Sequence, residues 1–160
     1  MSKKTCLKNY SVYPSPIGEI VIAADTDGLI TDVTFGKVPD SATKMETPAI
    51  KEAARQLQEY FAGKRRKFEL PLNPSGTQFQ EDVWAALQEI PYGETRTYGQ
   101  VAATVGNPKG SRAVGLANNR NPIAVIIPCH RVIGANGKLT GYAGGLDSKQ
   151  HLLDLEKKHK

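Results

Sequence analysis

A turn-rich segment near the middle of the chain restricts the possible folds more than any other feature. The run Leu70-Pro71-Leu72-Asn73-Pro74-Ser75-Gly76 holds two prolines and a glycine. Proline removes a backbone donor and fixes φ, so neither a helix nor a central strand continues through such a run. A chain of 160 residues can form one ordinary domain or two small ones. We therefore predict two domains, residues 1–74 and residues 77–160, joined by this segment.

The first domain has the pattern of a small mixed α/β unit. The Asp27-Gly28 pair is a strong hairpin signal. After Pro48, apolar residues recur at helical spacing as far as Gly63, where we expect a helix to end. Three strands are predicted before that helix, at Tyr10–Tyr13, Glu19–Ala24 and Leu29–Phe35.

The second domain has the pattern of a mostly helical unit with a helix-turn-helix. Trp84 lies in the apolar stripe of its first helix and is expected to be a core residue. Thr97 and Gln100 form a capping-box signature for a second helix, which Gly106 should end. Asn107-Pro108 predicts the start of the next helix. Such helix pairs also occur in proteins that never bind DNA, so the motif leaves the function open.

The outer face of the predicted third helix carries mostly small side chains. A helix that reads the major groove normally presents long polar side chains to the base edges. A helix without them can approach the minor groove, which is only about 6 Å wide. Arg112 is the single long residue that we place on this face. The small residues are Gly110, Ser111, Ala113 and Gly115.

Positive charge is concentrated in the same part of the chain. The net charge is +5, and no acidic residue occurs from Thr95 to Leu146. A long stretch with only positive charge attracts a polyanion and releases its counterions. A solvated basic face is the alternative, and charge alone does not separate the two. The basic residues of this stretch are Arg96, Lys109, Arg112, Arg120, Arg131 and Lys138.

The sequence gives no sign of export or membrane insertion. Its longest apolar stretch, Ile123–Ile127, is too short to cross a bilayer. The basic N-terminal residues are not followed by an apolar region, so we expect no secretory signal. Cys6 and Cys129 are then predicted to be free thiols of a cytoplasmic protein, or of a nuclear one if the source is eukaryotic.

The apolar run Ile123–Ile127 leads to Pro128, Cys129 and His130. Proline biases the preceding residue toward extended geometry, so we predict that the run is a strand. A thiol beside an imidazole suggests an activated nucleophile. Adjacent strand residues point to opposite faces, however, so the chain must turn there or a water must bridge the two groups. The alternative is a buried, inert cysteine beside a surface histidine.

Glu156 lies in a C-terminal helix that Asp147 and Gln150 are predicted to cap. At about 100° per residue, Glu156 lies about 40° from Leu152, in the middle of the apolar arc. An ionised carboxylate in that position needs a partner. A Cys-His-Glu relay is one solution, and fraying of the last turn into water is the other.

Together these residues resemble the O6-alkylguanine-DNA alkyltransferase family, the methylated-DNA–protein-cysteine methyltransferases. The run Ile127-Pro128-Cys129-His130-Arg131-Val132 matches the highly specific active-site signature of that family. The resemblance is closest from about Gly76 to Glu156 and looser upstream. The other matching positions are Tyr98, Arg112, Asn121-Pro122, Tyr142-Ala143-Gly144-Gly145 and Glu156.

The resemblance implies both a fold and a reaction. The fold would be a ribonuclease H-like α/β N-terminal domain and a winged-helix-like C-terminal domain with a helix-turn-helix. The reaction would repair O6-alkylguanine, and O4-alkylthymine, in double-stranded DNA by irreversible, single-turnover transfer of the alkyl group to Cys129. His130 would take the thiol proton through a water, and Glu156 would orient the imidazole. Asn121 would support the turn that brings Cys129 and His130 together.

The resemblance also implies DNA contacts. Arg112 would enter the base stack in place of the flipped nucleotide. Tyr98 would crowd the 3′ phosphate and donate a proton toward the leaving guanine. The main chain near Cys129, Val132 and Ala143 would read the guanine edge. The remaining DNA- or substrate-binding positions are Ser111, Ala113, Gly115, Arg131 and Tyr142.

The chain departs from some family members in two places. Ala143 stands where some have a serine, so a side-chain bond from this position to O6 is lost. Some members bind zinc in the first domain, but here that domain has only Cys6, and no histidine precedes His130. We therefore expect no metal site. The reaction would need no organic cofactor, and we expect the protein to be a monomer.

Two other functions stay open at this point. One is a lesion-binding, alkyltransferase-like protein, which flips the base but lacks an acceptor cysteine, and Cys129 argues against it. The other is a cysteine hydrolase that uses Cys129, His130 and Glu156. Such a hydrolase needs an oxyanion hole and has no use for Arg112 in a helix-turn-helix.

Overall fold

The computed structural model describes residues 7–160 and divides into two compact units. The first unit ends at Pro74, and the second is Ser75–Lys160. The predicted linker, residues 70–76, lies across this boundary. Cys6 lies outside the described residues. The expected fold class, with a sheet in the first unit and mostly helices in the second, is confirmed.

The first unit is a four-stranded sheet with one helix. Its strand order is β3-β2-β1-β4, with β1 pairing antiparallel to β2 and parallel to β4, and β2 antiparallel to β3. The three predicted strands are confirmed to within two residues, whereas the short β4 was missed. The strands are β1 (Lys8–Tyr13), β2 (Ile20–Asp25), β3 (Ile30–Thr34) and β4 (Thr43–Lys44).

The helix of the first unit, α1 (Pro48–Phe61), covers the sheet. Thr47 caps it by accepting a hydrogen bond from the Ile50 backbone N–H, and Pro48 opens it without losing an intrahelical bond. Ile50, Leu57 and Tyr60 are buried on its inner side. Apolar residues at helical spacing thus form the core of this unit, as the sequence predicted.

The second unit is mostly helical. Capping boxes start α2 at Thr77 and α3 at Thr97, where the predicted Gln100 partner is confirmed. Trp84 is buried, and its Nε1 donates to the Ala117 carbonyl at 2.9 Å, which fixes α2 against α4. The elements are α2 (Gln78–Gln88), β5 (Arg96–Thr97), α3 (Tyr98–Thr104), α4 (Ser111–Asn119), a 3₁₀ turn (Cys129–Arg131), β6 (Val132–Ile133) and α5 (Leu146–Lys158).

Two predicted helix starts in the second unit are wrong. The helix expected to begin at Asn107-Pro108 begins instead at Ser111, because the Gly110 N–H closes a turn onto the Asn107 carbonyl. The last helix is not capped by Asp147 and Gln150. Its N-cap is Gly145, at φ 91°, with no side-chain cap. A left-handed glycine makes this sharp entry possible without side-chain help.

No helix among residues 7–160 is long and apolar enough to cross a membrane.

Candidate active site and nucleic-acid interface

The residues before Cys129 form a compact turn and not the predicted strand. Val125 has a φ of 68°, which reverses the chain within the apolar run. The Ile127 N–H then bonds to the Ile123 carbonyl at 3.0 Å. Pro128 leads directly into the 3₁₀ turn Cys129–Arg131. Burial explains the apolar composition of this run equally well, which is why the strand prediction failed.

Asn121 holds this turn together. Its Nδ2 donates to the Ile127 carbonyl at 2.8 Å and to the Ile123 carbonyl at 3.3 Å, while its Oδ1 accepts from the Ile123 N–H at 3.0 Å. A single side chain therefore satisfies three backbone groups that no helix or sheet supplies. The role that the resemblance implies for Asn121, bringing Cys129 and His130 together, stays a prediction. Because these two residues lie in a 3₁₀ turn and not in a strand, the alternation of strand side chains to opposite faces does not apply to them.

His130 is fully buried and pairs with Glu156. The His130 Nε2 lies 2.6 Å from the Glu156 Oε2. An ionised carboxylate only accepts, so Nε2 carries the proton, and in the neutral imidazole Nδ1 is the basic nitrogen. Nδ1 is buried and has no hydrogen-bond partner within residues 7–160. The site therefore contains a base whose accepting atom is not engaged by the protein around it.

Arg131 is the residue whose placement differs most from its expected role. Its guanidinium is buried and bonds to Glu156, with Nε at 2.8 Å from Oε1 and Nη2 at 3.1 Å from Oε2. Its Nη1 donates to the Ile90 carbonyl at 2.7 Å, and its Cζ lies 5.7 Å from the Tyr92 ring centre. The guanidinium is thus engaged within the protein, and a contact of Arg131 with DNA or substrate stays a prediction. Arg131 neutralises a buried carboxylate.

The protonation states follow from this network. Burial raises the pKa of Glu156, but hydrogen bonds and charge from His130 and Arg131 outweigh it, and the net pKa lies well below the usual range. Burial lowers the pKa of His130, and Glu156 offsets this only in part. The resting pair is therefore a neutral imidazole against a carboxylate whose charge Arg131 balances.

The Cys129 thiol is also buried, and burial raises its pKa. A hydrogen bond from Asn121 and the positive charge of Lys149 oppose this rise without cancelling it. The thiol is thus protonated at rest near neutral pH. A proton acceptor is needed before the sulfur can act as a nucleophile.

Lys149 is a buried charged residue near the site that the sequence analysis did not identify. Its side chain is fully buried, and Nζ donates to the Val132 carbonyl at 2.7 Å and to the Thr140 carbonyl at 3.1 Å. A signal existed, because Lys149 lies on the same arc of α5 as Leu152 and Glu156. Lysine side chains are mostly exposed in proteins, so the sequence pattern did not predict that this one is buried.

The remaining residues expected around the substrate lie on the chain that follows Cys129. Val132 is buried, with its carbonyl already accepting from Lys149. Tyr142 is half-buried, and burial raises the pKa of its hydroxyl well above the ordinary value, so it stays protonated. The proximity of Cys129 adds to that rise. Ala143 is exposed.

The helix-turn-helix presents the residues expected to contact DNA on one open face. Ser111, Arg112 and Ala113 are exposed on α4, while Val114 and Ala117 are buried against the core. A groove of about 400 Å³ runs beside this face. It is lined by Tyr98, Ser111, Arg112, Gly115, Leu116, Asn119, Thr140 and Gly141.

Two contacts around this face were not predicted. The Tyr98 hydroxyl hydrogen-bonds to the Thr140 hydroxyl across the groove. Asn118, buried on the inner side of α4, donates from Nδ2 to the Cys129 carbonyl at 3.3 Å. The exposed helix is thereby joined to the turn that carries the thiol. Both contacts join residues far apart in sequence, so no local pattern could have shown them.

Comparison with known proteins places this site in a family. The family model described as "6-O-methylguanine DNA methyltransferase, DNA binding domain" matches residues 78–158. The model described as the "ribonuclease-like domain" of the same family matches residues 8–74. The chain belongs to the 6-O-methylguanine DNA methyltransferase family.

Similar members of this family occur in bacteria and in archaea. A methylated-DNA–protein-cysteine methyltransferase of Methanosarcina acetivorans is 60% identical over 152 residues, covering 92% of this chain and 97% of the relative. The structure of an O6-methylguanine methyltransferase of Mycobacterium tuberculosis has 46% sequence identity and a TM-score of 0.89. The match covers 96% of this chain and 95% of the mycobacterial chain. The OGT of M. tuberculosis in complex with DNA has 47% identity and a TM-score of 0.88, covering 94% of each chain.

No group of three or more His, Cys, Asp and Glu residues within residues 7–160 is arranged to hold a metal ion.

Proposed function

We propose that this protein repairs alkylated DNA by transferring an alkyl group from O6 of guanine in double-stranded DNA to Cys129. Transfer from O4 of alkylated thymine belongs to the same proposal. The observation that carries it is the buried arrangement of Cys129, His130 and Glu156, with the imidazole held at 2.6 Å by the carboxylate. Membership of the family, and a relative of known structure in complex with DNA, support the choice of substrate.

The chemistry begins with the thiol proton. It passes from Cys129 to the basic Nδ1 of His130, through a bridging water, and Glu156 stabilises the imidazolium that results. The step makes a thiolate and an imidazolium together, so the net charge of the buried site does not change. Lys149 favours the thiolate further because its positive charge lowers the pKa of Cys129.

The thiolate then displaces guanine at the alkyl carbon. A sulfur–carbon bond forms as the bond between the carbon and O6 breaks, and the electron pair of the broken bond stays on guanine. A proton donated toward the base completes the leaving group, and Tyr98 is the proposed donor. The imidazolium of His130 then releases the thiol proton to solvent and Tyr98 takes one up, so that both side chains end neutral. Nothing is oxidised or reduced, so the displacement needs no redox cofactor. The thioether is stable, so each molecule acts once. A monomer is part of the same proposal.

The DNA face makes the alkyl carbon accessible. The target atom cannot be reached inside a duplex, so the nucleotide must be flipped out. Arg112 is the long exposed cation on α4 that would fill the gap, and the small residues Ser111, Ala113 and Gly115 would let the helix approach the minor groove. Val132, Tyr142 and Ala143 follow Cys129 and would line the pocket for the flipped base.

Intact-mass measurement after incubation with a duplex containing O6-methylguanine tests the proposal. We expect one methyl mass per protein, located by peptide mapping at Cys129 and absent from Cys6. Cys129→Ala should gain no mass and still bind the duplex, because the binding face lies on α4. Repeated turnover, or a methyl group on another residue, would contradict the proposal. Binding without any mass gain would favour the lesion-binding alternative.

A further inference from the structure

Leu116 is an exposed apolar residue on α4, beside the groove that Arg112 and Tyr98 line. Its side chain is 63% exposed. It follows Arg112 by one helical turn and precedes Asn119 by three residues, so all three lie on one side of the helix. The outer face is therefore not made only of small residues and Arg112, as the sequence had suggested. It also carries a large apolar side chain.

Single exposed leucines are common on protein surfaces, so exposure by itself carries no function. The surroundings of Leu116 are what distinguish it. It lines the same groove as Tyr98 and Arg112. Next to it, a Cβ added at Gly115 would meet only the Tyr98 ring, at an ordinary 3.8 Å. No packing inside the protein therefore requires glycine there. The absence of a side chain at Gly115 leaves this part of the groove open to a binding partner.

The charge around the groove indicates the chemistry of that partner. Lys109, Arg112 and Arg120 are exposed close by, and no acidic residue occurs between Thr95 and Leu146. A basic rim around an apolar centre fits the minor groove of a duplex, where phosphates border the apolar edges of the deoxyriboses. An acidic or apolar protein partner would match only one of these two features.

We propose that Leu116 is a second minor-groove contact beside Arg112, packing against the deoxyribose edges of the nucleotides next to the flipped base. The inference rests on the proposed function, because it assumes that α4 lies in the minor groove. Arg112 fills the gap left by the base, whereas Leu116 excludes water from the sugar edges and holds the helix in register. This contact is apolar and neutralises no phosphate.

The test compares Leu116→Ala with Leu7→Ala, a matched truncation of a leucine that is 71% exposed in the first unit. Binding to a labelled duplex containing O6-methylguanine is measured at several salt concentrations, with Cys129→Ala as the background so that no alkyl transfer intervenes. We expect Leu116→Ala to weaken binding about three- to tenfold, as loss of buried apolar area predicts. Leu116→Met should restore binding, and Leu7→Ala should leave it unchanged.

The salt dependence identifies the kind of contact. The slope of log Kobs against log salt should be the same for Leu116→Ala and its parent, because only lost phosphate contacts reduce it. With Cys129 present, Leu116→Ala should lower the rate of repair of duplex DNA by a larger factor than the rate of reaction with a free O6-alkylguanine base. The inference would be overturned by equal affinity in all variants or by a reduced salt slope. It would also be overturned if Leu116→Ala lowered the reaction rate equally on duplex DNA and on the free base. A change of oligomeric state in Leu116→Ala would overturn it too, by making this face an interface between copies.

The proposed function and this inference can fail separately. If the Cys129 protein gains no methyl mass from the duplex, the transfer function fails whatever Leu116 does. If transfer occurs and Leu116→Ala binds like its parent, only the Leu116 contact is wrong.

Discussion

Glu156 binds His130 and Arg131 at once through a single buried carboxylate, and its Oε2 is shared by the two partners. Oε2 lies 2.6 Å from the His130 Nε2 and Oε1 lies 2.8 Å from the Arg131 Nε. Oε1 also accepts from the Gly93 N–H at 3.1 Å. The carboxylate therefore orients a base and compensates a buried cation, so its removal should affect reactivity and stability together.

Glu156→Gln should slow alkylation of Cys129 and raise the pH at which the thiol becomes reactive, because the imidazolium loses its stabilising charge. From the sequence alone only a modest loss of stability would be expected, since the amide fits the same space. The structure predicts a larger loss, about 3–5 kcal/mol, because Arg131 is left as an uncompensated buried charge.

The pH–rate profile with a free O6-alkylguanine base measures the effect of Glu156→Gln on reactivity, and urea unfolding measures its effect on stability. Asp154→Asn, an exposed change on the same helix, is the control. An unchanged profile would mean that the relay does not exist.

Acid should destabilise the folded protein in two stages. The pKa of His130 lies below its ordinary 6.5 in the folded state, so the unfolded chain binds more protons below that pH. The pKa of Glu156 is also lowered, so a second loss begins below its ordinary 4.5. Each group contributes a slope of at most about 1.4 kcal/mol per pH unit.

Urea unfolding from pH 8 to pH 4 checks this expectation. His130→Gln should flatten the first stage, between pH 6.5 and the lowered pKa. His151→Gln, which changes an exposed histidine, should leave the curve unaltered. Stability that is constant between pH 7 and pH 5 in the unmodified protein would show that the His130 pKa is not lowered.

Arg112→Ala should slow repair of duplex DNA by at least about tenfold while leaving the reaction with a free O6-alkylguanine base nearly unchanged. A flipped base leaves a gap that costs a few kcal/mol, and an inserted side chain offsets part of it. Single-turnover rates on both substrates measure the split. Arg120→Ala is the control, because it removes a positive charge at the exposed end of the same helix. It separates the effect of inserting a side chain into the base stack from the effect of losing a positive charge. Equal losses on both substrates would assign Arg112 a structural role.

Lys149→Met should raise the pH at which Cys129 reacts with the free base, because a positive charge that lowers the pKa of the thiol is lost. The change also leaves the Val132 and Thr140 carbonyls without their shared donor, which should cost about 1–3 kcal/mol of stability. Lys157→Met, on the exposed side of α5, is the matched control. A loss of stability with no shift of the pH profile would limit Lys149 to a structural role.

The sequence by itself determined the features that depend on neighbouring residues. Strands β1, β2 and β3, helix α1 and the capping box at Thr97 follow from periodicity and turn chemistry that act over a few positions. Glu156 belongs with them, because helical spacing alone placed its carboxylate among apolar residues and so required a partner.

Only the tertiary structure decided which partners those residues have. The pairing of Arg131 with Glu156, the contact of Asn118 with the Cys129 carbonyl and the bonds from Lys149 all join distant parts of the chain. The turn at Val125 is of the same kind, since burial favours apolar residues in a turn as much as in a strand. Local propensity reports how a residue suits its own backbone, whereas a buried charge is stabilised by whatever counter-charge the fold brings to it.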